Sequence, residues 1–289
     1  MKPNDAPSPR YFAVDGARAV EFAAPMPGSS AEVLEHLGAA AYEGVRTYDG
    51  SCFFSLAEHL RRLAASCHAL GGGLAFEPDD VHRALVQAGA LFRIEHGVEA
   101  RVRIDVCRGP LFAVGSSANV VLTLSPFRGV EREHLRNGVH VATTAEIRRE
   151  RAEVKDSHWT LVRERHIAAS PRLAECYEPM LVDADGRLLE GVQSNLVFVR
   201  NEKLWTAPQR VLRGVTRDAV LELSPEEPVW DYVSIGDLRR FDEAFLTSSV
   251  RGVVPIVRID EHVIGSGRPG PVTREMMTRY EAHVEEALR

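Results

Sequence analysis

Segments with the two-residue period of strands alternate along the chain with segments of helical period, in two sets separated by the polar stretch "SPFRGVERE" at 125–133. In the first set, "AYEGVRTYDGSCFFSL" (41–56) reads as two strands around a turn at Asp49-Gly50. "LAEHLRRLAASCHAL" (56–70) reads as a helix ended by three glycines, and "PDDVHRALVQAGALF" (78–92) as a second helix. Strands are expected at 99–109 and 118–126. The second set predicts a strand near 138–143, a helix over 159–170 and hairpin strands 179–184 and 188–199. A strand at 203–206, a helix over 216–223, a strand at 243–248 and a final helix over 271–288 complete it. Such alternation points to an α/β chain of mixed α+β type in two domains, 1–124 and 134–289, joined by the linker 125–133. A length of 289 residues at 45% hydrophobic is ample for two cores.

The balance of charge narrows the partners. A net charge of −6 argues against nucleic acid, which calls for a basic surplus. No apolar run approaches the ~20 residues of a membrane span, and the first residues lack the apolar core of a signal peptide. Cysteines 52, 67, 107 and 176 share no CxxC spacing, so they read as reduced thiols in a cytoplasmic protein, with no metal site. Walker, HExxH and GxSxG motifs are absent.

Two residues lack an ordinary explanation. Of 35 basic residues only Lys2, Lys155 and Lys203 are lysine, and the other 32 are arginine. Lys2 is terminal and Lys203 lies in the turn "RNEK". Lys155 is either a surface lysine or an amine kept for work arginine cannot do, since lysine can lose its proton and form a Schiff base. Glu190, in "LLEGVQSNLVFV" (188–199), is a carboxylate among residues that should be buried, and it needs a positive partner. Three weaker features suit a phosphate. "LRGVTRDAVLEL" (212–223) offers a glycine-led helix start with Thr216 as N-cap. Thr247, Ser248 and Ser249 end a strand, and Arg62 in "EHLRRL" adds charge. Each alone is a capped helix, a turn or a solvated face. Together they match the needs of pyridoxal 5'-phosphate: an amine for the aldehyde, a phosphate cradle and an acid for the ring nitrogen.

The order of "YEGVRTYDG", "EHLRRLAAS", "RVRIDVCRG", "VKDSHW", "LLEGVQSNLVFV", "RGVTRD" and "LTSSVRGVVPI" resembles the class IV aminotransferases, the fold-type IV pyridoxal-phosphate enzymes. That family includes branched-chain and D-amino-acid aminotransferases and aminodeoxychorismate lyase. The resemblance runs from about residue 40 to the end of the chain. It implies a two-domain, homodimeric enzyme that moves an amino group between an amino acid and a 2-oxo acid. By it, Lys155 is the Schiff-base lysine and the catalytic base, and Glu190 pairs with the pyridinium nitrogen. Arg62, Val215, Thr216 and Ser249 bind the phosphate, and Asn195 belongs to the strand beneath the ring. Tyr42 falls where D-amino-acid aminotransferases place a carboxylate-binding tyrosine, and Arg46, Arg103, Arg108 and Arg251 are candidate carboxylate contacts.

The chain departs from the family after the lysine, where "KDSHW" replaces the usual Asn and Tyr or Leu with His158 and Trp159. A pyruvate-eliminating lyase is the second reading. A non-catalytic relative is the third, and the joint presence of Lys155, Glu190 and Arg62 argues against it.

Overall fold

The computed structural model describes residues 8–22, 30–111, 116–127 and 129–289. The chain forms two compact units, one comprising residues up to 128 together with 154–161, the other comprising 129–153 and 162–287. Lys155 therefore belongs to the first unit, whereas the sequence reading assigned it to the second domain.

The first unit carries strands β1 (Arg10–Asp15), β2 (Arg18–Glu21), β3 (Ala39–Arg46), β4 (Glu99–Cys107) and β5 (Val120–Phe127). They form an antiparallel sheet in the order β2-β1-β5-β4-β3. Helices α1 (Ser30–Leu37), α2 (Leu56–Leu70) and α3 (Pro78–His96) accompany it, α2 packing on β3 and α3 on β1, β2, β4 and β5. The buried residues of α2 are Leu56, His59, Leu60, Leu63, Ser66 and Cys67. They recur every three or four positions, so one face turns inward, and its polar members His59 and Ser66 go in with the leucines. Two expectations change here. The hairpin β1–β2 occupies a region the sequence left unassigned. No strand follows Asp49-Gly50, where both residues have positive φ (51° and 78°) and only the Tyr48–Cys52 bridge closes the turn before α2 starts.

The second unit holds α4 (Arg132–Asn137), β6 (Val139–Thr144), α5 (Ser157–Ala168, its first turn counted with the first unit), α6 (Pro171–Glu175), β7 (Pro179–Val182), β8 (Arg187–Gly191), β9 (Asn195–Arg200) and β10 (Lys203–Thr206). There follow α7 (Val215–Glu222), β11 (Val229–Trp230), β12 (Val233–Ser234), β13 (Glu243–Ser248), β14 (Gly252–Ile259), β15 (His262–Val263) and α8 (Pro271–Ala287). Six strands pair in the order β9-β13-β14-β6-β7-β8, and β8 pairs back onto β9, so the sheet closes on itself. The closing pair is Glu190 with Asn195. Inside lie Val141, Met180, Leu196, Phe198, Leu246, Val254 and Ile256. What the sequence read as one strand over 188–199 is thus two strands. The chain breaks between them because the buried Glu178 carboxylate captures the Gln193 N–H at 2.6 Å and the Ser194 hydroxyl at 3.0 Å. Among the described residues, no helix is long and apolar enough to cross a membrane.

Candidate active site

In the first unit, the backbone of Lys155 is held from two sides. Its carbonyl accepts the Tyr42 N–H at 2.9 Å, and its own N–H donates to Ser66 Oγ at 3.1 Å. These bonds fix where the side chain starts. The ammonium ends 5.0 Å from the centre of the Tyr42 ring and 4.0 Å from Glu43 Oε1. On β3, residues 42 and 43 point to opposite faces. Glu43 goes to the α2 side, where it is fully buried and takes both Nε (2.9 Å) and Nη2 (2.8 Å) of Arg62. His59 Nδ1 lies 3.5 Å away on the same helix face. Burial works against ionising Glu43, but Arg62, then Lys155 and His59, outweigh it and hold the carboxyl well below the usual range. Sequence reasoning missed Glu43. The available signal was a charged residue in the otherwise small and apolar run "LGAAAYEGV".

The substrate-side arginines of the first unit part company. Arg103 grips the buried Asp105 with Nε at 2.8 Å and Nη2 at 2.8 Å, is steadied by Ser157 and Thr160, and stacks 4.0 Å over the Tyr42 ring. Tyr42 is thus flanked by two cations, Arg103 and Lys155, and is itself buried. Arg46 stacks on Tyr48 and Phe127 at 4.2 and 4.8 Å, with its Nε buried and without a hydrogen bond, the position of a packing residue. Arg108 is exposed and lines a cleft of about 420 Å³ with Asp156, Ser157 and His158. Trp159 is buried.

In the second unit, Glu190 is buried and its positive partner is part of the chain. Arg149 Nη1 donates to Oε1 at 2.9 Å, while Oε2 accepts the Leu212 N–H at 2.8 Å and the Asn195 amide at 3.3 Å. Arg149 is itself only 7% exposed at its side chain. Asn195 also donates to the Leu212 carbonyl at 2.7 Å. It is therefore the brace of Glu190 as well as its strand partner.

Close by along the same chain, the N-cap of α7 is Gly214 rather than the expected Thr216, and no side chain caps the helix. A Cβ at Gly214 would collide with the Asn195 side-chain oxygen, so this approach requires glycine. An uncapped helix start leaves the amides of its first turn, Val215 and Thr216 included, directed at whatever anion arrives. The Thr216 hydroxyl, buried, stands 3.5 Å from both Ser249 Oγ and Tyr280 OH. Three hydroxyls around an uncapped helix start have the chemistry of a phosphate cradle. Arg251 is committed otherwise: Nη2 meets Glu178 at 2.5 Å and Nε meets Ser248 Oγ at 3.2 Å.

One unit thus offers a half-buried amine, and the other a buried acid and an uncapped helix start. These are the groups pyridoxal phosphate requires, and they define a protein built for that cofactor. The family described as amino-transferase class IV matches residues 40–259. The D-alanine aminotransferase of Bacillus licheniformis is 30% identical over 255 residues, spanning 84% of this chain and 87% of the relative. A probable branched-chain-amino-acid aminotransferase of Thermotoga maritima is 30% identical over 253 residues, spanning 86% and 87%. A crystal structure of a putative branched-chain amino acid aminotransferase from Thermotoga maritima has a TM-score of 0.74 at 27% identity and covers 96% of each chain. The chain belongs to the class IV aminotransferases and is a pyridoxal-phosphate-dependent transaminase of the fold-type IV architecture.

Proposed function

We propose that the protein transfers the amino group of a small amino acid to a 2-oxo acid, with D-alanine-like substrates turned over faster than L-branched-chain ones. The observation that carries this is the place of Tyr42, a buried tyrosine whose ring lies between the Arg103 and Lys155 cations. Both relatives named above are aminotransferases, which favours this reading over elimination of pyruvate.

The cofactor supplies an aldehyde for the amine and a ring that draws electrons from the bond being broken. Lys155 is its covalent attachment point and, once released, the base whose Nζ takes the substrate's α-proton and returns it. Glu190, braced by Asn195, would supply the anion that keeps the ring nitrogen protonated. The amides of Val215 and Thr216 and the hydroxyls of Thr216 and Ser249 would hold the phosphate. Trp159, four residues after the lysine, is buried. Arg46, Arg103 and Arg251 are held by aromatic rings or carboxylates and are structural, and Arg108 orients the carboxylate.

Initial rates with D-alanine and L-leucine, each with 2-oxoglutarate, test the order of substrates. D-alanine is expected to be faster, and rapid L-leucine turnover with none of D-alanine would reverse the proposal. In Tyr42→Phe the stacked ring remains and only the hydroxyl goes. Loss of one hydrogen bond to a charged group, about 1.5–3 kcal/mol, should lower kcat/KM for D-alanine at least about tenfold. We further propose a cytoplasmic homodimer. Sedimentation at micromolar concentration should show about twice 32.0 kDa, and a fully active monomer would contradict it.

A further inference from the structure

We propose that Glu43 is a positioning residue that locks the fork of Arg62 and keeps a proton on the Lys155 amine whenever that amine is not engaged. The inference rests on the reading of Lys155 as the reacting amine. Its geometry lies entirely within the first unit.

Glu43 has no contact with solvent, and its two oxygens are shared among several donors. Oε1 accepts the Gly44 N–H at 2.8 Å and Arg62 Nη2 at 2.8 Å, and Oε2 accepts Arg62 Nε at 2.9 Å. A two-point grip of this kind fixes the plane of a guanidinium as well as its place. Arg62 Nη2 also lies 3.4 Å from His59 Nδ1, one turn earlier on α2. The arginine is thus oriented by its own helix and by β3 together.

Lys155 stands apart from this pair by one step. At 4.0 Å its Nζ has ion-pair distance to Oε1, beyond a direct hydrogen bond. The charges around it can be taken in turn. From β3 come Glu43 and the ring face of Tyr42; from α2 come Arg62 and His59, with the neutral Ser66 hydroxyl on the Lys155 N–H. From β4 comes Arg103, already neutralised by Asp105, and next in the chain stand Asp156 and the exposed His158. Glu43 and Arg62 together are close to neutral. Lys155 feels a small net attraction to the nearer anion and to the Tyr42 face, so its ammonium form is favoured without being trapped. A base that must both accept a proton and give it back needs that balance. Without the carboxylate, the Arg62 charge would bear more strongly on Lys155, and the amine would shed its proton at lower pH.

With three lysines in the chain, the amine can be read directly. The measurement is the pH dependence of acetylation by trace acetic anhydride on the full-length, cofactor-free chain. Peptide mass spectrometry follows Lys155, and exposed Lys203 is the internal reference. In Glu43→Gln the Lys155 midpoint should fall by at least about one pH unit, a tenfold loss of proton affinity. A second variant has the opposite sign: Arg62→Met removes the nearer cation from Glu43, so its charge bears more fully on Lys155 and the midpoint should rise. A Lys155 midpoint unchanged in a folded Glu43→Gln protein would make Glu43 a structural plug and overturn the proposal. An unchanged or lowered midpoint in Arg62→Met would overturn it too, even if the glutamine variant fails to fold. Borohydride labelling of the wild-type holoenzyme separates this result from the functional reading: label away from Lys155 defeats that reading, while the titration still judges Glu43.

Discussion

Lys155→Arg should reduce transamination by several orders of magnitude while leaving the fold intact. Arginine keeps the positive charge beside Glu43 and the cation over Tyr42, so the electrostatics that hold the first unit survive. The nucleophile is what disappears. A guanidinium stays protonated at any working pH, so it neither attacks an aldehyde nor accepts an α-proton. Losing a covalent-catalysis group removes attachment and base together, and the two effects are not separable by rate alone. Borohydride followed by peptide mapping separates them. In the wild type the cofactor should be fixed on the peptide that carries Lys155; in the variant no peptide should carry it. Label on Lys2 or Lys203 would move the assignment elsewhere.

Much of this arrangement was legible because local pattern and final structure agree. The helix over 56–70 has the inward period and the glycine stop that α2 shows, with Gly71 in a positive-φ conformation. The scarcity of lysine marked Lys155 before any fold was known. What was not legible depends on contacts distant in the chain. The break at residues 192–194 is imposed by Glu178, more than ten positions earlier, and no local period carries that. β14 escaped because Pro255 argues against a strand inside a sheet. In the structure the ladder to β6 begins only at Ile256, so the missing N–H removes nothing on that side. Gly214, not Thr216, is the N-cap of α7, and it is glycine because Asn195 crowds the place a side chain would take. Arg149 is one of three arginines in "EIRRERAEV", with nothing local to single it out; only the closed sheet selects it as the partner of Glu190.

That partner changes what replacing Glu190 should do. Glu190→Gln keeps the shape and can still accept the Leu212 N–H, but it removes the only charge the side chain has. Two losses follow. The ring nitrogen no longer has an anion to favour its protonated form, so the step in which Lys155 takes the α-proton should slow by about a hundredfold or more, while phosphate contacts at Val215, Thr216 and Ser249 keep the cofactor bound. At the same time Arg149, 7% exposed, loses the charge it was paired with. Breaking a buried pair on one side costs about 3–5 kcal/mol, so the denaturation midpoint should drop as well. The two losses separate in the double variant Arg149→Met, Glu190→Gln. Removing both charges should restore most of the stability, since a buried pair is often replaceable by apolar groups. It should restore none of the rate if the anion acts on the ring. Stopped-flow half-reactions, with cofactor content and urea midpoints taken on the same samples, read both quantities. A single variant that is unstable yet reacts at the wild-type rate with a full load of cofactor would mean that Glu190 serves Arg149 and the closure of the sheet, and that the ring nitrogen is managed by some other group.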